Sequence, residues 1–313
     1  MILTVSLNPL LEKTFFYDKV NYNDVNRASS ILLSAGGKGI NVSRQLNHLR
    51  VDNLATGFLG GENGKRIKSI LHKENIKNSF HRIKSETREG IVIVDSNNVH
   101  TSFFEPDPFI SKIEVDEFIG KTKKSILNSE MIIISGSAPE NPNGEDCSRI
   151  FAELIAFGNE LDKFTIVDTY GKKLNQIYSN PPLVAHANIK EVETSLGISI
   201  SNEDDMINFL KSDVIGGIKI YFLTNGEQPF FAVNQKYIYR IEPLEVNTLN
   251  STGSGDAFMA GLIFGLHHNQ PFEDILRFAT VCGSLNASMM EVCRVPLDEI
   301  MRELNQVQIQ KLN

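Results

Sequence analysis

The segment Asn250-Ser251-Thr252-Gly253-Ser254-Gly255-Asp256 runs directly into the apolar stretch Ala257 to Leu266, so two glycines and a carboxylate stand where a strand becomes a helix. Gly253 and Gly255 free the backbone to bend until several N–H groups converge, and the positive end of the following helix dipole adds to them. Such a cradle suits a phosphoryl group in transfer. An acid beside it repels an anion unless it has a second task, and taking the proton of an attacking hydroxyl is such a task. Asp256 is therefore the candidate base, and Gly253, Ser254 and Gly255 supply the candidate donors for developing charge. The competing reading is an acid that only stabilises the dipole of its own helix.

A second cluster, Gly36-Gly37-Lys38-Gly39-Ile40-Asn41, opens an amphipathic helix through Val42, Leu46 and Leu49. Its glycines permit close backbone approach, and Lys38 and Asn41 supply donors. It is not a Walker A loop, and the nearest approach to one, Gly120-Lys121-Thr122, has Val115 at the first glycine position. Together the two clusters resemble the paired signatures of the ribokinase-like phosphofructokinase-B sugar kinases, especially the branch holding 1-phosphofructokinase and tagatose-6-phosphate kinase. The resemblance spans nearly the whole chain through Ser6-Leu7-Asn8-Pro9, Val25-Asn26-Arg27, Glu86-Thr87-Arg88, Ser135-Gly136-Ser137, Asn188 with Glu191, and Leu223-Thr224-Asn225-Gly226.

What the resemblance implies is specific. Glu12, Arg27, Gly37, Lys38, Asn41, Arg88 and Ser137 hold the acceptor sugar, with the two arginines offering forked donors and permanent charge to a substrate phosphate. ATP is the donor, met by Asn188, Glu191, Thr224, Gly226, Glu227 and Gly255. Asn188 and Glu191, three apart at a strand-to-helix junction, can turn both oxygens to one side and hold Mg2+ through water. A monovalent cation is a further candidate cofactor. Two departures stand out: Glu12 replaces the aspartate usual in relatives, and His186 stands where a lysine is usual, lowering the charge near the nucleotide at neutral pH.

The bulk of the chain is compatible with this. Its 313 residues are 41% hydrophobic and 22% charged, with no low-complexity stretch, which excludes a disordered protein. A formal charge of −7 argues against a nucleic-acid surface, and the apolar N-terminus is interrupted too early by Asn8 and Glu12 for a signal peptide or membrane helix. Cys147, Cys282 and Cys293 have neither metal nor disulfide spacing, so a reducing cytoplasm is expected.

Continuous apolar runs at Ile2 to Leu7, Met131 to Ser135, Phe164 to Asp168, Leu183 to Ala187 and Lys219 to Leu223 predict strands buried on both faces. Helices are predicted at about residues 39–50, 62–74, 115–127, 144–161, 203–212, 253–267, 272–290 and 297–309. Two regions alternate instead, Thr14 to Leu33 and Arg88 to Phe104, the latter with a turn at Asp95 to Asn98. The fold expected is α/β: a ribokinase-like three-layer α/β/α sandwich with a mostly parallel central sheet and a small β-sheet lid. The resemblance implies that the lid, formed by residues 12–34 and 86–107 within a single domain spanning 1–313, covers the sugar and pairs with a second subunit's lid, which would exclude water from the transfer.

The expected activity is ATP-dependent phosphorylation of fructose 1-phosphate to fructose 1,6-bisphosphate. Tagatose 6-phosphate and fructose 6-phosphate are alternative acceptors, and a non-catalytic sugar-phosphate sensor is the alternative of another class. A nicotinamide dehydrogenase is disfavoured, because no Gly-x-Gly-x-x-Gly follows the first strand.

Overall fold

The computed structural model describes residues 1–96, 99–171 and 174–313. Asn97 and Asn98, in the expected turn, lie outside the described residues. Among the described residues the main sheet has ten strands. Its parallel part runs β5 (His81–Ile83), β4 (Asn53–Gly60), β1 (Ile2–Ser6), β8 (Met131–Ser135), β9 (Phe164–Asp168), β10 (Val184–Asn188) and β11 (Ile220–Thr224). Beyond β11 three antiparallel strands follow, β12 (Phe230–Asn234), β13 (Tyr237–Glu242) and β14 (Gln308–Lys311).

Strand alternation explains the three layers. Ile132 and Ile134 of β8 enter one core with Phe118 of α3 (Lys112–Leu127) and Leu154 of α4 (Arg149–Glu160). Met131 and Ile133 enter the other, with Val42 of α1 (Lys38–His48), Leu262 of α8 (Ser254–His267) and Leu276 of α9 (Phe272–Ala287). Because β1 and β8 are buried on both sides, they read as unbroken apolar runs. The helix expected from 115 starts earlier, at Lys112, where Ser111 and Glu114 form a capping box.

One expected element is corrected at its end. The helix predicted over 297–309 stops as α10 (Leu297–Glu303), and after a short 3-10 turn the chain enters β14. Val307 and Ile309 alternate with glutamines there, a period of two rather than 3.6, and Ile309 pairs opposite Ile241 of β13. The helices expected at about 62–74 and 203–212 are present as α2 (Gly61–Lys73) and α7 (Glu203–Lys211), and the structure adds α5 (Leu174–Ser179) and α6 (Ile189–Leu196).

A separate four-stranded sheet, ordered β3 (Ser30–Gly36), β2 (Leu10–Phe16), β6 (Glu89–Val94) and β7 (His100–Phe104), is antiparallel except for the β2–β6 pair. Among the described residues no helix is long and apolar enough to cross a membrane.

Candidate active site

In a parallel sheet, ligands collect beyond the carboxyl ends of the strands, where helix N-termini also converge. Here Ser6, Ser135, Asp168, Asn188 and Thr224 are the last residues of β1, β8, β9, β10 and β11. A cleft of about 1090 Å³ opens at that end, between the strand ends, α8 and the small sheet.

Gly253 introduces α8 with φ +77°, and a Cβ at this position would lie 2.3 Å from Cγ1 of Val292, so both conformation and space demand glycine. The turn is braced from below by the fully buried Asn286. Its Nδ2 donates to the Thr252 carbonyl at 2.9 Å and to Ser254 Oγ at 3.2 Å, and its Oδ1 accepts from the Cys293 amide at 2.7 Å. The amides of Gly255 and Asp256 fall in the first helical turn, which has no intrahelical acceptor for them, and so remain available to an anion.

Asp256 lines the cleft yet is only 4% exposed, and Asn41 Nδ2 donates to its Oδ2 at 2.8 Å. Burial pushes its carboxyl up to about 7; the Lys38 ammonium pulls the other way and Asp168 reinforces the rise. A carboxyl poised there can accept a proton near neutrality.

Lys38 was expected to face the sugar. It lines the cleft, and its ammonium bridges Asp168 at 3.2 Å and Glu191 at 3.1 Å, so it serves these carboxylates as counter-ion. Burial opposes its charge, but Asp168 and Glu191 outweigh that and hold Lys38 well above the usual ammonium range. Asp168 is fully buried. Burial alone would favour its neutral form, but Lys38 and the hydrogen bond from His186, with Ser135 also donating, hold it well below the usual carboxylate range. With Nδ1 of His186 against Asp168 at 3.0 Å, its Nε2 meets the Thr224 hydroxyl at 3.0 Å. His186 lines the cleft and links Asp168 to Thr224.

Asn188 and Glu191 both line the cleft but do not turn their oxygens together. They form a capping box on α6: Asn188 Oδ1 accepts from the Glu191 amide and Glu191 Oε2 from the Asn188 amide, both at 2.9 Å, while Glu191 Oε1 faces Lys38. Direct ligation of one ion by this pair does not fit. Each oxygen keeps a second lone pair, so a contact through water does. Among the described residues no group of three or more His, Cys, Asp or Glu is placed to hold a metal.

At the other end of the cleft, Glu12 Oε1 accepts from Ser34 Oγ at 3.3 Å, and burial raises its carboxyl. Arg88 donates to Asp107 Oδ1 and to the Asn8 carbonyl, each at 3.2 Å, and its guanidinium lies over the Phe104 ring. Its Nε is buried with no hydrogen-bond partner, as is Asn8 Oδ1. Gly37, Asn41, Ser137, Gly226 and Glu227 also line the cleft, and Ser137 accepts from Asn8 at 3.4 Å. Arg27 does not join them: it is exposed on the connection between β2 and β3 and is not part of this chain's cleft wall.

Sequence reasoning missed Asp168, Asn286 and Asp107. Only Asp168 left a trace, as a charged residue closing an apolar strand.

The comparisons with known proteins agree with this architecture. The model of the pfkB family carbohydrate kinases matches residues 10–298. A tagatose-6-phosphate kinase of Staphylococcus epidermidis is 30% identical over 99% of this chain and 100% of its own length. Among solved structures, the "Possible 1-phosphofructokinase" of Thermotoga maritima superposes with a TM-score of 0.90 at 27% identity over 100% of both chains. Phosphofructokinase-2 of Escherichia coli, solved with potassium, shares the fold with a TM-score of 0.87 at 21% identity, over 97% of this chain and 98% of that one.

Fold and cleft together are those of a sugar-phosphate kinase with a ribokinase-like core. The chain belongs to the pfkB family of carbohydrate kinases.

Proposed function

We propose that the protein transfers the γ-phosphoryl group of ATP to a free hydroxyl of a hexose monophosphate, with fructose 1-phosphate as acceptor and fructose 1,6-bisphosphate as product. The observation that carries this reading is the buried Asp256 carboxyl, held by Asn41 in the first turn of the α8 cradle. The acceptor oxygen attacks the γ-phosphorus, its proton passes to Asp256, and the bond to the β-phosphate oxygen breaks to release ADP. The α8 amides stabilise charge developing on the transferred group. Bound Mg2+ would neutralise the nucleotide phosphates, with Asn188 and Glu191 reaching it through water.

Arg88 supports a phosphorylated acceptor, since one of its donors is buried at the cleft without a partner. An Arg88→Met variant is expected to raise KM for the sugar phosphate about 10- to 100-fold, the worth of a charged hydrogen bond, with kcat changed far less. Steady-state kinetics at fixed ATP check this, and an unchanged KM removes Arg88 from the acceptor site. Tagatose 6-phosphate is the second reading, favoured by the named activity of the full-length relatives. An ADP-release assay with fructose 1-phosphate, tagatose 6-phosphate and fructose 6-phosphate decides between them; no release with any would leave the sugar-phosphate sensor.

The same reading makes the small sheet a lid over the sugar and a dimer contact. Strand register places Leu33, Lys13, Ile91 and Phe103 in one row and Ile31, Phe15 and Ile93 in the next, all on the face opposite Glu12. Ile31 and Phe103 are 61% and 57% exposed, a patch that a second copy would bury. Paired Ile31→Asp and Phe103→Asp substitutions are expected to halve the mass seen in sedimentation; an unchanged mass places any association elsewhere. The three free cysteines are all buried, in keeping with the reducing compartment expected above.

A further inference from the structure

We propose that Arg44 is a positioning residue of the kinase reaction: it fixes the orientation of the Asn41 amide so that only a donor can face Asp256. This inference rests on Asp256 being the base.

Arg44 is 4% exposed on α1, one turn beyond Asn41. Each arm of its guanidinium is engaged. NH1 donates to Asn41 Oδ1 at 2.7 Å, NH2 to the Ala35 carbonyl at 2.7 Å, and Nε to Glu74 Oε2 at 3.0 Å. Glu74 is itself held by Arg294, whose NH2 lies 2.6 Å from its other oxygen.

A guanidinium has donors and no acceptor, and an ionised carboxylate has acceptors and no donor. Asn41 sits between the two, so its amide has one satisfied orientation: oxygen toward Arg44, nitrogen toward Asp256. The flipped amide would set its oxygen against the Asp256 oxygen and its NH2 against the guanidinium, two unfavourable contacts at once. Removing Arg44 leaves one end of the amide unspecified. The flip then becomes acceptable whenever Asp256 carries a proton, because the Asn41 oxygen accepts it. The variant enzyme therefore stabilises the acid form of a residue that must begin the reaction as a base.

Asp256 also feels Lys38 from α1, Asp168 from β9, His186 from β10 and the Cys293 thiol from the loop after α9, and none of these touches Arg44 in a way that sets the amide. Arg44 itself also acts on the Glu12 carboxyl of β2, lowering it, but Glu12 lies on the acceptor side and its change is read in the KM for the sugar phosphate. The signature of losing Arg44 through Asn41 is a displaced acid limb of the kcat profile.

The experiment uses the full-length enzyme with Arg44→Met, Arg44→Lys and the double variant Arg44→Met/Glu74→Gln, which leaves no buried carboxylate stranded if the single change unfolds. For the methionine variants the acid limb is expected to move about one unit toward higher pH, the size of one hydrogen-bond contribution to a buried carboxylate. On the acid side that is a roughly tenfold loss of kcat, with the alkaline plateau and both KM values within about threefold of wild type. Arg44→Lys, which keeps one donor, falls between. An unmoved limb, or a loss equal at every pH, overturns the positioning role. Asp256→Asn measured alongside separates the two levels: if it retains turnover the base assignment fails, and if it is inactive while the Arg44 limbs stay in place only this inference fails.

Discussion

Asp256→Asn is expected to lower kcat about a thousandfold, within the range for loss of a general base, without lowering the melting temperature. The asymmetry follows from the burial of the carboxyl. Desolvation raises it from 3.8 to about 7 in the folded protein, so the charged form opposes folding. The stability linked to this raised value is fully present below 3.8 and is lost as pH rises through about 7. Asparagine removes that penalty, so the variant gains stability relative to wild type as pH climbs across the interval. Activity shows the mirror image, since wild-type kcat should fall as pH drops through about 7 and the base becomes protonated. Kinetics and melting curves from about pH 5 to 8 check both arms. Near-normal turnover in the asparagine variant would remove Asp256 from the chemistry.

Lys38→Met carries the second large effect, on folding and catalysis together. Lys38 is the cation shared by Asp168 and Glu191 and felt by Asp256, and Asp168 has no exposure to water. Stranding one member of a buried pair costs about 3–5 kcal/mol, and the partial exposure of Lys38 places the expected loss near about 3. The sign with pH is fixed by the depressed value of Asp168: its stabilising contribution is present above 3.8 and lost as pH falls toward the folded value. The gap between wild type and variant should therefore be full at neutral pH and shrink below about 4. Without Lys38 the Asp256 carboxyl rises further, so residual activity should be confined to more alkaline pH. Urea unfolding at two pH values is the measurement, and a gap independent of pH would show that lost packing, not stranded charge, is responsible.

What could be seen in the sequence was local. Gly253-Ser254-Gly255-Asp256 and Gly36 to Asn41 are legible because a turn, a helix start and a polar group are specified within a few residues. The central strands are legible because burial on both faces erases alternation. Asp168 was not, because its meaning depends on His186 of the neighbouring strand and on a lysine 130 positions earlier. The capping role of Glu191 was not legible, because a strand-to-helix acid has the same spacing whether it caps a helix, faces an ion through water or does both; here the capping box and Lys38 engage both of its oxygens. Arg27 sits in the right motif, yet a motif does not say which way a loop between β2 and β3 will turn. The last helix failed through length, since one turn of glutamines suits a helix until Val307 and Ile309 begin to alternate.

The contact between Asn41 and Asp256 spans 215 positions of the chain. In a nascent polypeptide α1 is complete long before α8 exists to meet it. Asp168 and Glu191, the partners of Lys38, also precede α8 in the chain, whereas Asp256 lies within it. With synthesis running from the N-terminus, the Asn41–Asp256 contact can form only once the C-terminal third has been made.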